Sequence, residues 1–170
     1  MKWLGACIIL IASFWIGLEQ SRKLSERPRQ LRMLKSALKS FEAEIVFGYT
    51  PLHESSRKLS ERLPSPIADI FSSFAVLLTT SEMDAKEAWK QSVAAVWPRT
   101  ALKPSEYDIL VEFGETLGRY DRQTEQKHIL LALTHIERCE EEAIEKQRRY
   151  ESMLKSLSVL GGLLLILLLF

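Results

Sequence analysis

The 170 residues suit one domain of ordinary size, and 23 Lys and Arg against 22 Asp and Glu leave a net charge of +1. That balance excludes a global basic field for nucleic acid and an acidic tail. Two cysteines, Cys7 in an apolar run and Cys139 on an expected helix, sit in no CxxC and argue against a disulfide framework, which fits a reducing compartment.

The first segment, Trp3 to Leu18, carries no charged residue. Its sixteen residues would cover about 24 Å as a helix, and Lys2 and Glu19 can snorkel to close the gap to a hydrocarbon core of about 30 Å. A cleaved signal peptide is the rival reading. No small-x-small site precedes Glu19, and the basic run follows the apolar segment instead of leading it. The expectation is therefore a retained transmembrane helix over residues 1–19.

Residues 20–153 read as a domain of helices. Leu31, Leu34, Leu38, Phe41 and Ile45 fall on one face of a first helix from about Glu26 to Phe47, with Pro28 in its first turn. Gly48 and Thr50-Pro51 end it, and Thr50 as N-cap with Pro51 at N1 predicts a second helix striped by Leu52, Leu59 and Leu63. Pro64 and Ser65-Pro66 lead into a third, carrying Ile67, Ile70, Phe71, Phe74, Leu77 and Leu78. Ser81 with Asp84 resembles a capping box for a fourth, whose stripe is Ala85, Ala88, Trp89, Ser92, Val93, Val96 and Trp97 before Pro98. Pro104 opens a fifth helix with Tyr107, Leu110, Val111, Gly114 and Leu117 on its apolar face. Asp121 is the expected N-cap of a long last helix bearing Ile129, Leu133, Ile136, Ala143 and Ile144. No stretch alternates with period two, so the expected fold is all-α, an antiparallel bundle of about six helices.

The chain from residue 154 to 170 ends in an apolar run, LLLILLLF, with no charge after Lys155. Because it is apolar on every face, it reads as a second transmembrane helix and not a buried core helix. Arg22, Lys23, Arg27, Arg29, Arg32, Lys35 and Lys39 follow the first segment, and Lys146, Arg148, Arg149 and Lys155 precede or enter the second. The positive-inside rule then puts the domain in the cytoplasm, with both termini across the membrane. No aromatic residue interleaves the basic run, so membrane topology and anionic lipid account for it better than nucleic acid does.

Gly114 sits on an apolar stripe, where glycine costs about 1 kcal/mol against alanine and usually lets another helix approach. Gly118 fits a C-terminal cap. Glu115 between them suits either an interaction residue or a solvated carboxylate. His128, His135 and Cys139 share a helical face of the kind a zinc site wants, but no fourth ligand stands in a recognisable motif, so no metal or cofactor is expected. The run Glu140-Glu141-Glu142 with Glu145 reads as a solvated face. GxxxxGK[ST], GxSxG and HExxH are all missing, and no enzymatic activity is expected.

Tyr49-Thr50-Pro51-Leu52 followed by Leu59, and Gly114-Glu115-Thr116-Leu117-Gly118 leading into a long helix, resemble two elements of the cytosolic domain of type II secretion F proteins. A fuller resemblance is to the stage III sporulation protein AB family. It is carried by Glu26 to Gln30, Glu42 to Ile45, Thr50 to Glu54, Phe113 to Gly118, Gln126 to His128, Ala132 to His135 and the glycine-bearing apolar tail. The resemblance implies a membrane platform component of the channel between mother cell and forespore. It would face the mother-cell cytoplasm and work with a secretion-type ATPase and other sporulation channel membrane proteins. Two departures stand out. Full secretion F proteins carry two such domains, so one domain implies oligomerisation or a shared platform. Leu117 stands where the secretion pattern prefers Ser or Thr. Candidate contact residues are Glu115 with Gly114, Gly118, Arg119 and Arg122, and Glu42 and Glu44 on the first helix; Thr50, Pro51 and Leu52 carry the family motif. A membrane scaffold tethering a soluble enzyme is the alternative.

Overall fold

A computed structural model of the chain describes residues 25–118 and 122–169, with backbone alone for residues 122, 125 and 154–169. Every regular element among them is helical. Helix α1 covers residues 25–42 and widens into a π-turn at Ala43–Phe47. Then come α2 (Leu52–Arg62), α3 (Ile67–Thr80), α4 (Ala85–Val96), a 3₁₀ turn (Trp97–Arg99), α5 (Pro104–Gly114) and α6 (Arg122–Leu169). The all-α bundle of six helices is thus as the periodicity indicates.

Two helix starts differ from the sequence expectation. Thr50 does not cap α2; its hydroxyl donates instead to Glu44 Oε2 at 2.9 Å, and Pro51 is the N-cap residue. Proline leaves its carbonyl free to accept from the backbone N–H groups of Glu54 and Ser55. Likewise Asp84, not Ser81, caps α4, accepting from the Glu87 N–H at 2.8 Å. The Ser81 hydroxyl donates back to the Leu77 carbonyl and finishes α3. In both cases a better-placed acceptor took the side chain that the local pattern assigned to capping. Asp121 lies outside the described residues.

The core is aromatic at its centre. Trp89 of α4 meets Phe71, Phe74 and Phe113 edge-on at 5.1–5.5 Å between ring centroids, and Phe41 of α1 joins Phe71 and Phe113. Such edge-to-face pairs add about 0.5–1.5 kcal/mol each beyond the area they bury. Leucines and isoleucines of the other five helices close around them, including Leu31, Leu59, Ile70, Leu110 and Ile136, and α4 adds Ala88, Val93 and Val96.

Helices α1 and α6 run antiparallel along a ladder of polar contacts. Gln147 donates to Ser25 Oγ at 3.5 Å, Arg32 to Glu140 at 3.2 Å, Lys35 to Glu137 at 3.4 Å, and Gln126 to Glu42 at 2.8 Å. The start of α1 and residue 147 of α6 therefore share one end of the bundle. Of the two expected membrane segments, residues 1–19 lie outside the described residues, and residues 154–169 are a backbone continuation of α6. Among the described residues no helix is long and apolar enough to cross a membrane.

Candidate functional site

The Gly114–Gly118 element ends α5, and its two glycines do different work. Gly114 is buried beneath the Trp89 indole: a Cβ there would lie 2.2 Å from Trp89 Cδ1. The indole Nε1 donates to the Leu110 carbonyl at 2.7 Å, which fixes the ring against α5. The close approach expected of Gly114 is thus real, and it lies inside the domain, between α4 and α5. Gly118 has φ +71°, the left-handed conformation that closes a helix C-terminus, and faces Ala85 and Leu52 at ordinary contact distances.

Glu115, held between them, points outward. It pairs with Lys86 of α4 at 2.9 Å and stays exposed. With Asp108 and Glu112 it forms one rim of an open groove of about 440 Å³ between α5 and α6, whose wall includes Val111, Thr116 and His128. Ile109, Phe113, Leu131 and Ala132 continue the groove toward His135. Asp108 and Glu112 make no ion pair among the described residues.

The other candidates are engaged within the domain. Glu42 accepts from Gln126. Glu44 accepts from Thr50 and, at 3.5 Å, from Lys58. The Thr50 hydroxyl is the main influence holding the Glu44 carboxyl below its ordinary range; burial opposes it and Lys58 adds to it. Arg119 and the side chain of Arg122 lie outside the described residues. Pro51 is exposed at the α2 start, while Leu52 packs partly against the core. His128 and His135 line the α5–α6 groove, whereas Cys139 is half-buried, and burial is the first cause pushing its thiol up. Among the described residues no group of three or more His, Cys, Asp or Glu is placed to hold a metal ion.

Two charged sites escaped the sequence reading. Glu106 is 0% exposed and Arg27 8%. The Arg27 guanidinium donates to Glu106 Oε1, with Nε at 3.0 Å and Nη2 also in contact, while Glu106 Oε2 accepts the Lys103 backbone N–H at the start of α5. Gln30, one turn along α1, accepts from the Ala101 N–H at 2.8 Å. These bonds fix the start of α5 to α1. The second site corrects the solvated-face reading of the glutamate run. Glu140 is 5% exposed and takes hydrogen bonds from Arg32 and Lys35, while Glu141, Glu142 and Glu145 remain outside. Burial pushes the Glu140 carboxyl up, but Lys35 and Arg32 outweigh it, and its pKa is lowered overall. Neither pairing has a local signal, because the partners stand 79 and 108 residues apart.

Comparison with known proteins bears on the whole chain. Residues 2–170 match the stage III sporulation protein AB family. The stage III sporulation protein AB of Bacillus subtilis (strain 168) is 50% identical over 169 residues, covering 99% of each chain. A solved structure of a stage III sporulation protein AB superimposes with a TM-score of 0.70 at 49% identity, over 73% of this chain and 98% of that one.

Proposed function

Since the chain belongs to the stage III sporulation protein AB family, we propose that it is a non-enzymatic membrane platform protein of endospore formation. Its helical domain stands in the mother-cell cytoplasm on two transmembrane helices and docks a secretion-type ATPase and other channel subunits. The observation that carries this reading is the α1–α6 ladder. It brings residue 25 of α1 and residue 147 of α6 to one end of the bundle, which supports two anchors in one membrane. Basic residues crowd that same end, as expected on the cytoplasmic side.

Glu115 is the residue favoured for docking, because it is exposed and flanks the groove while Glu42 and Glu44 are engaged internally. Reversing its charge removes only a surface ion pair to Lys86, of the kind worth about 0–1 kcal/mol. Glu115→Lys should therefore assemble poorly while melting almost as the parent does. The test is a mild-detergent pull-down of the tagged full-length protein from sporulating cells, beside that variant. Recovery of a secretion-type ATPase or sporulation membrane proteins, weakened in the variant, supports the platform. Recovery of unrelated soluble enzymes alone would replace it with a tethering scaffold.

A further inference from the structure

The rim of the α5–α6 groove carries charge that the domain itself leaves largely unanswered. Asp108, Glu112 and Glu115 step by four and three residues, so three exposed carboxylates stand in one line along about 10 Å of α5 and its C-terminal turn. Like charges at that spacing oppose one another and disfavour the helix that carries them. Lys86 pairs with Glu115 at the surface, a weak kind of contact, while Asp108 and Glu112 make no ion pair among the described residues.

Behind that rim the groove turns apolar. Val111 lines its open part of about 440 Å³, and Leu131, Ile109, Phe113 and Ala132 line its continuation toward His135. Leu131 is 49% exposed, a large apolar side chain left half in water beside the acidic line. The Thr116 hydroxyl is spent on the Phe113 carbonyl at 2.7 Å.

The position of the groove narrows what can fill it. Its α6 wall, His128 to His135, lies about 28–39 Å along a continuous helix from residue 154, where the proposed second anchor begins. A headgroup layer of about 5–8 Å does not reach that far, so lipid is not the occupant. Helix α1 of a second copy standing at the same height offers no matching set of cations. Its Arg32 serves the buried Glu140, which stands about 7 Å or more nearer the membrane end than the groove's α6 wall, and Arg29 lies further in the same direction.

We propose that the groove receives a cationic amphipathic helix of a water-soluble protein, with Lys or Arg three and four residues apart opposite Asp108, Glu112 and Glu115 and an apolar side chain between them lying on Val111 and Leu131. The proposal rests on the reading of Glu115 as a docking residue and specifies the chemistry of what docks there. A helix has the same rise of about 1.5 Å per residue as α5, so its cations keep step with the carboxylates. An extended segment, with alternate residues about 7 Å apart, falls out of step by the third. The rim charges orient and speed the encounter, and the apolar contact holds it.

The test is photo-cross-linking of the full-length protein in sporulating cells, with p-benzoylphenylalanine replacing Leu131 in the groove or Val76 on α3 as the control face. Mass spectrometry identifies the peptide captured. The expected adduct at position 131 is a segment of a soluble protein with cations and apolar residues at helical spacing. Asp108→Lys with Glu112→Lys should lower its yield by about tenfold, Asp108→Asn with Glu112→Gln by less, and added salt in permeabilised cells should lower it in the parent. An adduct lacking cations, an adduct with another copy of this chain, a yield no greater than at position 76, or indifference to the charge reversal each overturns the proposal. The pull-down with Glu115→Lys runs alongside. If that variant loses its partners while the adduct at position 131 has the wrong chemistry, docking at Glu115 stands and the cationic helix falls. If neither partners nor adduct depend on these carboxylates, both fall.

Discussion

Gly114→Ala is the sharpest perturbation available in this domain, because a single methyl group collides with the centre of the core. The added Cβ would sit 2.2 Å from Trp89 Cδ1, against about 3.5 Å for an unstrained carbon contact, so about 1.3 Å of displacement is needed. The indole cannot yield freely. Three rings hold it edge-on, and its Nε1 is bonded to the Leu110 carbonyl on the helix that carries Gly114. Overpacking of this kind costs about 1–3 kcal/mol, and loss of the indole hydrogen bond about 1 kcal/mol more. Replacing glycine at a helix end returns at most about 1 kcal/mol. The net destabilisation is about 2 kcal/mol, or a melting temperature lower by about 6–10 °C for a domain of this size. Thermal unfolding by far-UV circular dichroism, with near-UV ellipticity for the tryptophan environment, measures both effects. A variant that melts within about 1 °C of the parent, with its near-UV signal unchanged, would refute the packing described for α4 and α5.

Gly118→Ala should cost less and for another reason. Its neighbours stand at ordinary contact distance, so only the left-handed backbone is penalised, by about 1–2 kcal/mol, and Gly118→Asn should be milder in the same melting assay. Arg27→Ala leaves the buried Glu106 carboxylate without its guanidinium partner, and chemical denaturation should show a loss of about 3–5 kcal/mol, much of it recovered when both residues are made apolar. Glu140 governs part of the acid limb. Its pKa in the folded state is lowered from 4.5, so its contribution is present above that value and lost as pH falls through the lowered one. Lys35, raised by the Glu140 hydrogen bond above all, contributes below 10.5 and loses that contribution as pH rises through its raised value. Melting temperatures recorded against pH should fall less steeply in acid for Glu140→Gln than for the parent.

Apolar periodicity made the six helices legible, because Leu31, Leu34, Leu38 and Phe41, or Ile70, Phe71 and Phe74, fall where a helix must bury them. Pro104 and Pro98 marked real boundaries, since proline fixes where an N–H ladder starts or fails. Thr50 and Ser81 misled because a hydroxyl serves whichever acceptor lies nearest, and for Thr50 that acceptor, Glu44, became available only through the π-turn and the positive φ of Tyr49. Glycine 114 was readable as a close approach, but nothing nearby in sequence could name Trp89 as the group that approaches. The two buried carboxylates were the hardest to see. A charged residue is exposed unless a partner compensates its desolvation, and the partners of Glu106 and Glu140 come from α1, far back in the chain. Arg27, Arg32 and Lys35 read as part of a membrane-flanking basic run, yet each also reaches a buried carboxylate.

The most direct measurement is substituted-cysteine labelling of the full-length protein in intact protoplasts, in a background without Cys7 and Cys139, using a membrane-impermeant maleimide. One variant carries Lys2→Cys, beyond the first apolar segment, and the other Ser36→Cys, on the exposed face of α1. The proposed topology, two anchors leaving one end of a cytoplasmic bundle, predicts that Lys2→Cys reacts from outside and Ser36→Cys only after permeabilisation. Labelling of Ser36→Cys in intact protoplasts would place the helical domain on the wrong side of the membrane and contradict the platform.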